Sequence, residues 1–211
     1  MCGIVAYIGS KPARDLLLEG LKRLEYRGYD SAGIAMLNGG VHVARTMGRV
    51  SGLEELVHQD DNFNGTIGIA HTRWATHGEP SERNAHPQSD DAKKGHGIQL
   101  VHNGIIENYT SLKQYLEDKG HTFTSETDTE VLVHLIGELY DGNLETAVQS
   151  ALREVTGAYA IAVICEKEPD VLVAARKGSP LLVGVGQDEY VVASDSSAIV
   201  ALMSEVPSCR N

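Results

Sequence analysis

Apolar runs with the period of β-strands recur along this chain, separated by clusters of Gly, Asn and Pro, and they predict more strands than helices. Asn38, Gly39 and Gly40 stand between two such runs and predict a hairpin, because these residue types tolerate positive φ. The predicted strands are 3–9, 32–37, 41–45, 66–72, 98–103, 158–165, 171–176, 180–185 and 189–194.

Helical signals occur in six further segments. Leu17, Leu21 and Leu24 recur at i, i+4 and i+7, which gives the first helix one apolar face. The residues from Thr127 to Glu130 have the sequence of a capping box, so a helix should begin there. Asn143 is a favoured N-cap residue for the next helix. The predicted helices are 13–26, 53–58, 110–119, 128–140, 144–155 and 196–203.

The order of these elements predicts an α+β fold. The last four strands follow one another with short gaps and no helix between them, which favours antiparallel pairing over parallel crossovers. The grouping of the helices favours sheets packed face to face with helices outside. No repeat or linker divides residues 1–211, so we expect one domain. The polar segment 75–97 has no periodicity, and a loop of that length in a compact domain is usually functional.

Composition and charge narrow the functional classes. The chain has 18 Lys and Arg against 29 Asp and Glu, a net charge of −11, which disfavours binding to nucleic acid or to anionic membranes. No apolar run is long enough to span a bilayer, and the N-terminus does not resemble a secretory signal. Cys2, Cys165 and Cys209 are too few and too scattered for a disulfide framework or a cysteine-rich zinc site. We therefore expect a cytoplasmic protein.

Cys2 is the most informative residue for chemistry. Removal of Met1 would leave a cysteine with a free α-amino group, whose pKa of about 7.7–8.0 would let it accept the thiol proton near neutral pH. The nucleophile and its base would then belong to one residue. Position alone favours the simpler interpretation, in which Cys2 is a small apolar residue at the head of a strand.

Polar residues follow two of the predicted strands. Arg73 could clamp a substrate carboxylate with two parallel N–H···O bonds, and Trp74 could form a wall of the pocket. The alternatives are a salt bridge for Arg73 and a core position for Trp74. Asn103 and the backbone N–H of Gly104 could present two donors to one oxygen, as an oxyanion hole requires, although Asn-Gly is also a common turn dipeptide.

Asp128 could pair with a substrate ammonium group, so that Arg73 and Asp128 together would recognise an α-amino acid. The alternative is structural, because an Asp in the first turn of a helix stabilises it through the macrodipole by about 0.3–1 kcal/mol. The nine histidines have no metal-binding spacing such as H-E-x-x-H, and no glycine-rich motif predicts a phosphate site. Neither a metal nor an organic cofactor is expected.

In chain order, these segments resemble the class II glutamine amidotransferases, whose glutaminase domains are N-terminal nucleophile hydrolases. The matching segments are Met-Cys-Gly-Ile-Val at 1–5, Glu-Tyr-Arg-Gly-Tyr-Asp-Ser-Ala-Gly at 25–33, the residues 71–80, His-Asn-Gly-Ile-Ile-Glu-Asn at 102–108 and Ser-Glu-Thr-Asp-Thr-Glu at 125–130. The resemblance implies a four-layer αββα sandwich of antiparallel sheets. It also implies hydrolysis of L-glutamine to L-glutamate and ammonia through a Cys2 thioester, without a cofactor.

The resemblance implies roles for individual residues as well. Cys2 would be the nucleophile with its own amine as base, and Asn103 and Gly104 would form the oxyanion hole. Arg73 would bind the substrate carboxylate and Asp128 its ammonium group. The residues that would line the glutamine pocket are Trp74, Thr76, His77 and Gly78. The two supporting residues would be Arg27, which orients the catalytic terminus, and His86, which holds the loop in place.

Within the family, Tyr26, Trp74 and Ala75 match the branch that delivers ammonia to fructose 6-phosphate better than the amidophosphoribosyltransferase branch. Family members continue into a sugar-phosphate isomerase half. We expect this half and the closing strands of the glutaminase domain to be absent from residues 1–211, and residues 206–211 do not resemble the family. Fructose 6-phosphate is then a partner only through the isomerase half, and a homodimer is expected for the longer protein, with a monomer for this chain.

Three other functions are compatible with the residues. The chain could be the glutaminase half of another class II enzyme, such as amidophosphoribosyltransferase. It could bind glutamine without turnover. It could also be a histidine-based metallohydrolase, which the absence of stoichiometric zinc would exclude.

Overall fold

The computed structural model describes residues 2–74, 78–91 and 93–203. Its helices are α1 (Ala13–Leu24), α2 (Val50–His58), α3 (Tyr109–Asp118), α4 (Asp128–Leu139), α5 (Leu144–Glu154) and α6 (Ser196–Met203). Its strands are β1 (Gly3–Ile8), β2 (Ser31–Leu37), β3 (Val41–Met47), β4 (Ile67–Arg73), β5 (Gln88–Ser89), β6 (Ile98–Ile106), β7 (Gly157–Cys165), β8 (Glu168–Lys177), β9 (Leu182–Val185) and β10 (Tyr190–Ala193). Within these ranges every predicted helix and strand is present.

The strands form two antiparallel sheets. One sheet has six strands in the order β3-β2-β4-β1-β10-β9, and the other has four in the order β5-β6-β7-β8. The last four strands pair antiparallel as predicted, but in two pairs that belong to different sheets. The chain leaves the four-stranded sheet after β8 and joins the six-stranded sheet, where β10 pairs with β1 and β9 forms the edge.

Three apolar layers hold the sheets and helices together. Ile4 and Ala6 on one face of β1 pack with Ala160 and Ala162 of β7, so the two sheets meet face to face. The opposite face of the six-stranded sheet packs against α1, α2 and α6. The outer face of the four-stranded sheet packs against α3, α4 and α5. The architecture is therefore the four-layer αββα sandwich that the sequence predicted.

The period of two residues explains how one strand serves two layers. Alternate residues of a strand point to opposite faces of its sheet. In β7 the side chains of Ala160 and Ala162 lie between the sheets, whereas Ile161 and Val163 pack under the helices. Such a strand is apolar along its whole length, which is why the sequence shows a continuous apolar run there.

Two helix starts illustrate how local sequence sets the ends of elements. Asn143 caps α5, because its Oδ1 accepts the N–H of Thr146 at 2.8 Å. Thr127 caps α4 through its Oγ1, which accepts the N–H of Glu130 at 3.2 Å. The second half of the capping box differs from the prediction. The Glu130 carboxylate accepts the backbone N–H groups of Thr124 and Ser125 instead of returning to Thr127.

Within the described residues 78–91 and 93–97, the polar segment after β4 contains regular structure where the sequence predicted a loop. It contains a 3₁₀ turn at Glu82–Asn84 and the strand β5. Its backbone lies directly on the first sheet, since a Cβ added at Gly33 would stand 2.1 Å from the carbonyl oxygen of His86. Arg45 Nε also donates to the carbonyl of Pro87 at 2.7 Å. These contacts fix the segment as one wall of the site described below.

None of the helices within the described ranges combines the length and the apolar character needed to cross a membrane.

Candidate functional site

Residues from four distant segments converge on one cavity of about 360 Å³. Cys2 lies at the start of β1, opposite the end of β4, because Gly3 pairs with Thr72. Arg73 ends β4, Asn103 lies in β6, and Asp128 is the first residue of α4. All four line the cavity. The sequence analysis predicted that these four residues belong to one site, and the fold places all four on the same cavity.

The Cys2 thiol is held at the edge of the cavity by the backbone of Trp74. The Trp74 N–H donates to Cys2 Sγ at 3.2 Å, and the Trp74 carbonyl oxygen lies 3.4 Å from the same sulfur. Burial raises the pKa of the Cys2 thiol, and the opposing effects of the Trp74 N–H and the Arg73 guanidinium are smaller. The thiol therefore carries its proton near neutral pH, and a base must remove that proton before the sulfur can act as a nucleophile.

The Asn103 amide is oriented by a buried histidine. His71 Nε2 lies 2.9 Å from Asn103 Oδ1, and Asn103 Nδ2 donates to the carbonyl oxygen of Cys2 at 3.2 Å. Because burial lowers the pKa of His71 to about 3, the ring is neutral and donates from Nε2. This bond fixes which end of the amide faces Cys2. A donor held in place in this way is what an oxyanion hole requires.

Gly104 corrects one expectation about β6. The sequence ended this strand at Asn103 and Gly104, whereas the strand continues through Ile106 and pairs with β7 along its whole length. Gly104 adopts φ of 133°, and an added Cβ would lie 2.0 Å from the carbonyl oxygen of Ala158. The close approach of β7 therefore requires glycine at this position. The Asn-Gly pair stands inside a strand and does not form a turn.

Arg73 is 3 % exposed and is held between two segments. Its guanidinium donates to the carbonyl oxygens of Gly78 at 3.2 Å and Glu79 at 3.4 Å, and it lies 3.9 Å from a carboxylate oxygen of Asp30. Arg73 therefore has the carboxylate neighbour that the salt-bridge alternative requires, and it also lines the cavity. These contacts fix the guanidinium in one place.

Trp74 is not a core residue, because it is 54 % exposed. Its ring lies on the backbone of Gly28, where an added Cβ would stand 2.6 Å from a ring carbon. The ring thus covers one side of the cavity. Thr76 and His77, predicted for the same pocket, lie outside the described residues, and Gly78 is within hydrogen-bonding distance of Arg73 through its carbonyl.

The Asp128 side chain both contacts a neighbouring backbone group and faces the cavity. Its Oδ2 accepts the backbone N–H of Ile106 at 2.8 Å, and its side chain, in the first turn of α4, is favourably placed toward the helix dipole. The residue is 5 % exposed and lines the cavity. The bond from Ile106 holds the carboxylate in position at the cavity wall.

The two residues with predicted supporting roles, Arg27 and His86, both line the cavity. Arg27 Nη1 lies 3.3 Å from both the carbonyl oxygen and Oγ of Ser194, and Ser194 Oγ accepts the N–H of Ile4 at 3.0 Å. Arg27 thus contacts the start of β1 through one intermediate residue. His86 Nε2 lies 2.8 Å from Thr129 Oγ1, which joins the long loop to α4.

Several residues around the cavity were missed by the sequence analysis. Thr129 Oγ1 contacts His102 Nδ1 at 2.9 Å as well as His86, and Ser179 and Pro180 line the cavity from the turn after β8. Thr129 and His102 stand in matching segments but had no predicted role. Ser179, Pro180 and Ser194 stand in none of these segments, so only the fold reveals their contacts.

The buried histidines around the site make the stability of the protein depend on pH. Burial lowers the pKa of His71 to about 3 and also lowers the pKa of His86. The unfolded chain therefore binds more protons below pH 6.5, and the free energy of unfolding falls as the pH falls. From pH 7 to pH 5, His71 alone should lower it by about 2 kcal/mol.

Urea unfolding at pH 7 and at pH 5 measures this effect. We expect His71→Gln to reduce the loss of stability between the two pH values by about 2 kcal/mol. His42→Gln, on β3, where the ring Nε2 lies 3.1 Å from the backbone carbonyl oxygen of Asn38, is the control and should keep the full pH dependence. An equal pH dependence in His71→Gln and the unaltered chain would show that His71 is not buried in its neutral form.

Comparison with known proteins identifies the family. Residues 71–201 match the family model of the glutamine amidotransferase domain. This chain belongs to the glutamine amidotransferase family. The matched range of this amidotransferase domain contains twelve of the fourteen residues that line the cavity, among them Arg73, Asn103 and Asp128.

Curated relatives of this amidotransferase domain are much longer. The isomerizing glutamine–fructose-6-phosphate aminotransferase of Chlorobaculum tepidum is 54 % identical over 212 residues. The enzyme of the same name from Bacteroides thetaiotaomicron is 55 % identical over 211 residues. Each match covers 98 % of this chain and 34 % of the relative, so the chain spans about a third of the length of these proteins.

Solved structures share the fold of this amidotransferase domain. The glutamine phosphoribosylpyrophosphate amidotransferase of B. subtilis has a TM-score of 0.81 at 30 % identity, over 95 % of this chain and 43 % of that chain. A glutamine aminotransferase class-II domain protein from Silicibacter pomeroyi has a TM-score of 0.62 at 17 % identity, over 91 % and 88 % of the two chains, and supports the fold alone. The higher identity to the fructose-6-phosphate enzymes agrees with the predicted branch.

Proposed function

We propose that this domain hydrolyses L-glutamine to L-glutamate and ammonia through a thioester on Cys2. The observation that carries the proposal is the convergence of a thiol, a fixed amide donor, a guanidinium and a carboxylate on one cavity. These groups are Cys2, Asn103, Arg73 and Asp128. A cation and an anion suit the two charges of an α-amino acid, and the thiol and amide donor suit attack on its side-chain carboxamide.

The proposed reaction begins with loss of Met1, which frees the α-amine of Cys2. The amine takes the thiol proton, and the sulfur attacks the carboxamide carbon of glutamine. Negative charge then develops on the former carbonyl oxygen, where Asn103 Nδ2 and the Gly104 N–H stabilise it. The C–N bond breaks as the amine returns the proton to the leaving nitrogen, which departs as ammonia. Water hydrolyses the thioester to glutamate and restores the thiol.

In this proposal, charged residues bind the two charged groups of glutamine, and other residues pack around the substrate. Arg73 binds the substrate carboxylate as a two-pronged donor, and Asp128 pairs with the substrate ammonium group. The packing contacts would come from Trp74, Thr76, His77 and Gly78. Arg27 and His86 act as positioning residues through Ser194 and Thr129. The proposed route needs neither a metal nor an organic cofactor.

We further propose that residues 1–211 form the glutaminase unit of a longer enzyme. The relatives named above act, by name, on fructose 6-phosphate, which supports ammonia transfer to this acceptor through a separate isomerase half. A homodimer of the longer enzyme and a monomeric glutaminase unit are parts of this proposal. A cytoplasmic location also belongs to it and is supported by the free thiols of Cys2 and Cys165.

Release of glutamate and ammonia by the purified chain tests the proposed function. We expect turnover of L-glutamine, and at least about 30-fold lower kcat/KM for a carboxamide that lacks either the α-amino or the α-carboxylate group, because a buried charge would lose its partner. Binding of L-glutamine without glutamate release would instead support a glutamine-binding module. Equal turnover of the analogues would contradict the roles of Arg73 and Asp128.

A further inference from the structure

A cluster of metal-binding residue types lies apart from the residues that line the cavity. Asp91, His121 and His134 are buried, and one potential ligand atom from each lies within 4.8 Å of the others. Asp91 follows β5, His121 lies between α3 and α4, and His134 is on α4. Among the described residues, this is the group of His, Cys, Asp or Glu side chains close enough to share an ion.

The far nitrogen of each histidine faces a glutamate. His121 Nε2 lies 3.1 Å from Glu138 Oε2, and His134 Nε2 lies 3.9 Å from Glu130 Oε1. Glu138 is itself held by Lys94 at 2.6 Å and Lys119 at 2.7 Å. A carboxylate beside Nε2 favours the tautomer with the proton on Nε2, which leaves the lone pair of a neutral ring on Nδ1.

Both Nδ1 atoms are buried without a hydrogen-bond partner. The side chains of His121 and His134 are 1 % and 3 % exposed, so water does not reach them freely. His121 Nδ1 lies 3.9 Å from Asp91 Oδ2. A buried acceptor nitrogen beside a carboxylate is costly unless a cation or a proton stands between them.

We propose that Asp91, His121 and His134 bind one Zn²⁺ ion. Two imidazole nitrogens and one carboxylate oxygen suit Zn²⁺, whereas Mg²⁺ and Ca²⁺ prefer oxygen ligands. In a tetrahedral zinc site the ligand atoms lie about 3.4 Å apart, so the pair at 3.9 Å needs a closure of about 0.5 Å and a pair at the 4.8 Å limit of the cluster needs about 1.4 Å. Water would complete the coordination. Glu138 would hold the His121 ring through its far nitrogen, an arrangement common behind zinc-binding histidines.

The proposed zinc would join three segments that Glu138 already links through Lys94, Lys119 and His121. Asp91 Oδ1 already accepts the N–H of Lys93 at 2.9 Å, and its Oδ2 accepts that of Thr122 at 3.4 Å. The ion would add a direct link from both segments to α4. Because α4 begins with Asp128, the ion would stiffen one wall of the cavity. This role is structural and independent of the glutamine chemistry.

Zinc titration of the chain after chelator treatment tests this site. All variants carry Cys2→Ala, so that a thiolate at the other site does not compete for the metal. We expect one Zn²⁺ per chain, with a dissociation constant on the order of 1 µM or tighter. His121→Gln and His134→Gln should each weaken binding by at least about 100-fold, and Glu138→Gln by about 10–100-fold. His96→Gln, in the loop after Asp91, is the matched control and should bind zinc like the parent.

Thermal unfolding provides a second readout. Zinc at 100 times its dissociation constant should raise the Tm of the parent by about 5–10 °C and should not raise that of His121→Gln or His134→Gln. If those variants fail to fold, the test rests on two measurements of the parent. These are the number of Zn²⁺ ions bound per chain and the visible spectrum of Co²⁺ bound in place of zinc. Absence of a stoichiometric metal in the parent, or equal binding by His121→Gln, would overturn the proposal.

Discussion

Replacing Cys2 with alanine is expected to lower the rate of glutamate release from L-glutamine by at least about 10⁴-fold. The physical reason is that no other group on the cavity can form the thioester, and water attacks an unactivated carboxamide slowly. The cavity and its charged residues remain in Cys2→Ala, so this variant should still bind L-glutamine. Binding is measured by calorimetry, and release by a coupled glutamate assay.

Cys165→Ala is the matched control, because Cys165 is the other described free cysteine and lies in β7, where its Sγ contacts the carbonyl of His96. It should leave glutamate release unchanged. Comparable release by Cys2→Ala and the unaltered chain would remove Cys2 from the mechanism. A loss of glutamine binding together with release would instead show that the substitution damages the cavity.

Removing the amide of Asn103 is expected to lower kcat by about 10²–10³-fold with little change in KM. The oxyanion forms only as the reaction proceeds, so its donor contributes more to the transition state than to substrate binding. Asn103→Ala removes both ends of the amide. Asn103→Asp keeps an oxygen for His71 while replacing the Nδ2 donor that faces Cys2. Both variants should show the loss in kcat in steady-state assays.

Asn143→Ala controls for a change of asparagine elsewhere. It removes the cap of α5 and should lower the free energy of unfolding by about 1 kcal/mol without changing kcat. A kcat for Asn103→Asp within tenfold of the unaltered chain would contradict the role of the Nδ2 donor. A rise in KM alone would place Asn103 in substrate binding.

The type and order of the elements were predictable because burial leaves a periodic trace in the sequence. The central strands of the sheets are covered on both faces, so they appear as continuous apolar runs, as in β1. The end of β6 was misplaced because Asn103-Gly104 has the composition of a turn. Nothing local in the sequence shows that β7 passes within contact distance of Gly104, which is the reason for glycine there.

The site was predictable only where its residues form recognisable segments. Cys2, Arg73, Asn103 and Asp128 stand in such segments, and the fold places them on one cavity. The contacts of Thr129 and Ser194 join residues that are far apart in the chain, so neither the segment 125–130, which contains Thr129, nor any spacing reveals them. The proposed zinc ligands were missed for the same reason.

The most direct test of the central claim is labelling with a halomethyl ketone that carries the α-amino acid group of glutamine. The thiolate would displace the halide, and peptide mass spectrometry would locate the resulting thioether. The account predicts one label per chain, on a peptide that begins at Cys2 without Met1, and protection by L-glutamine. A label on another residue, or a rate of labelling that L-glutamine does not change, would contradict the claim that Cys2 is the nucleophile of a glutamine site.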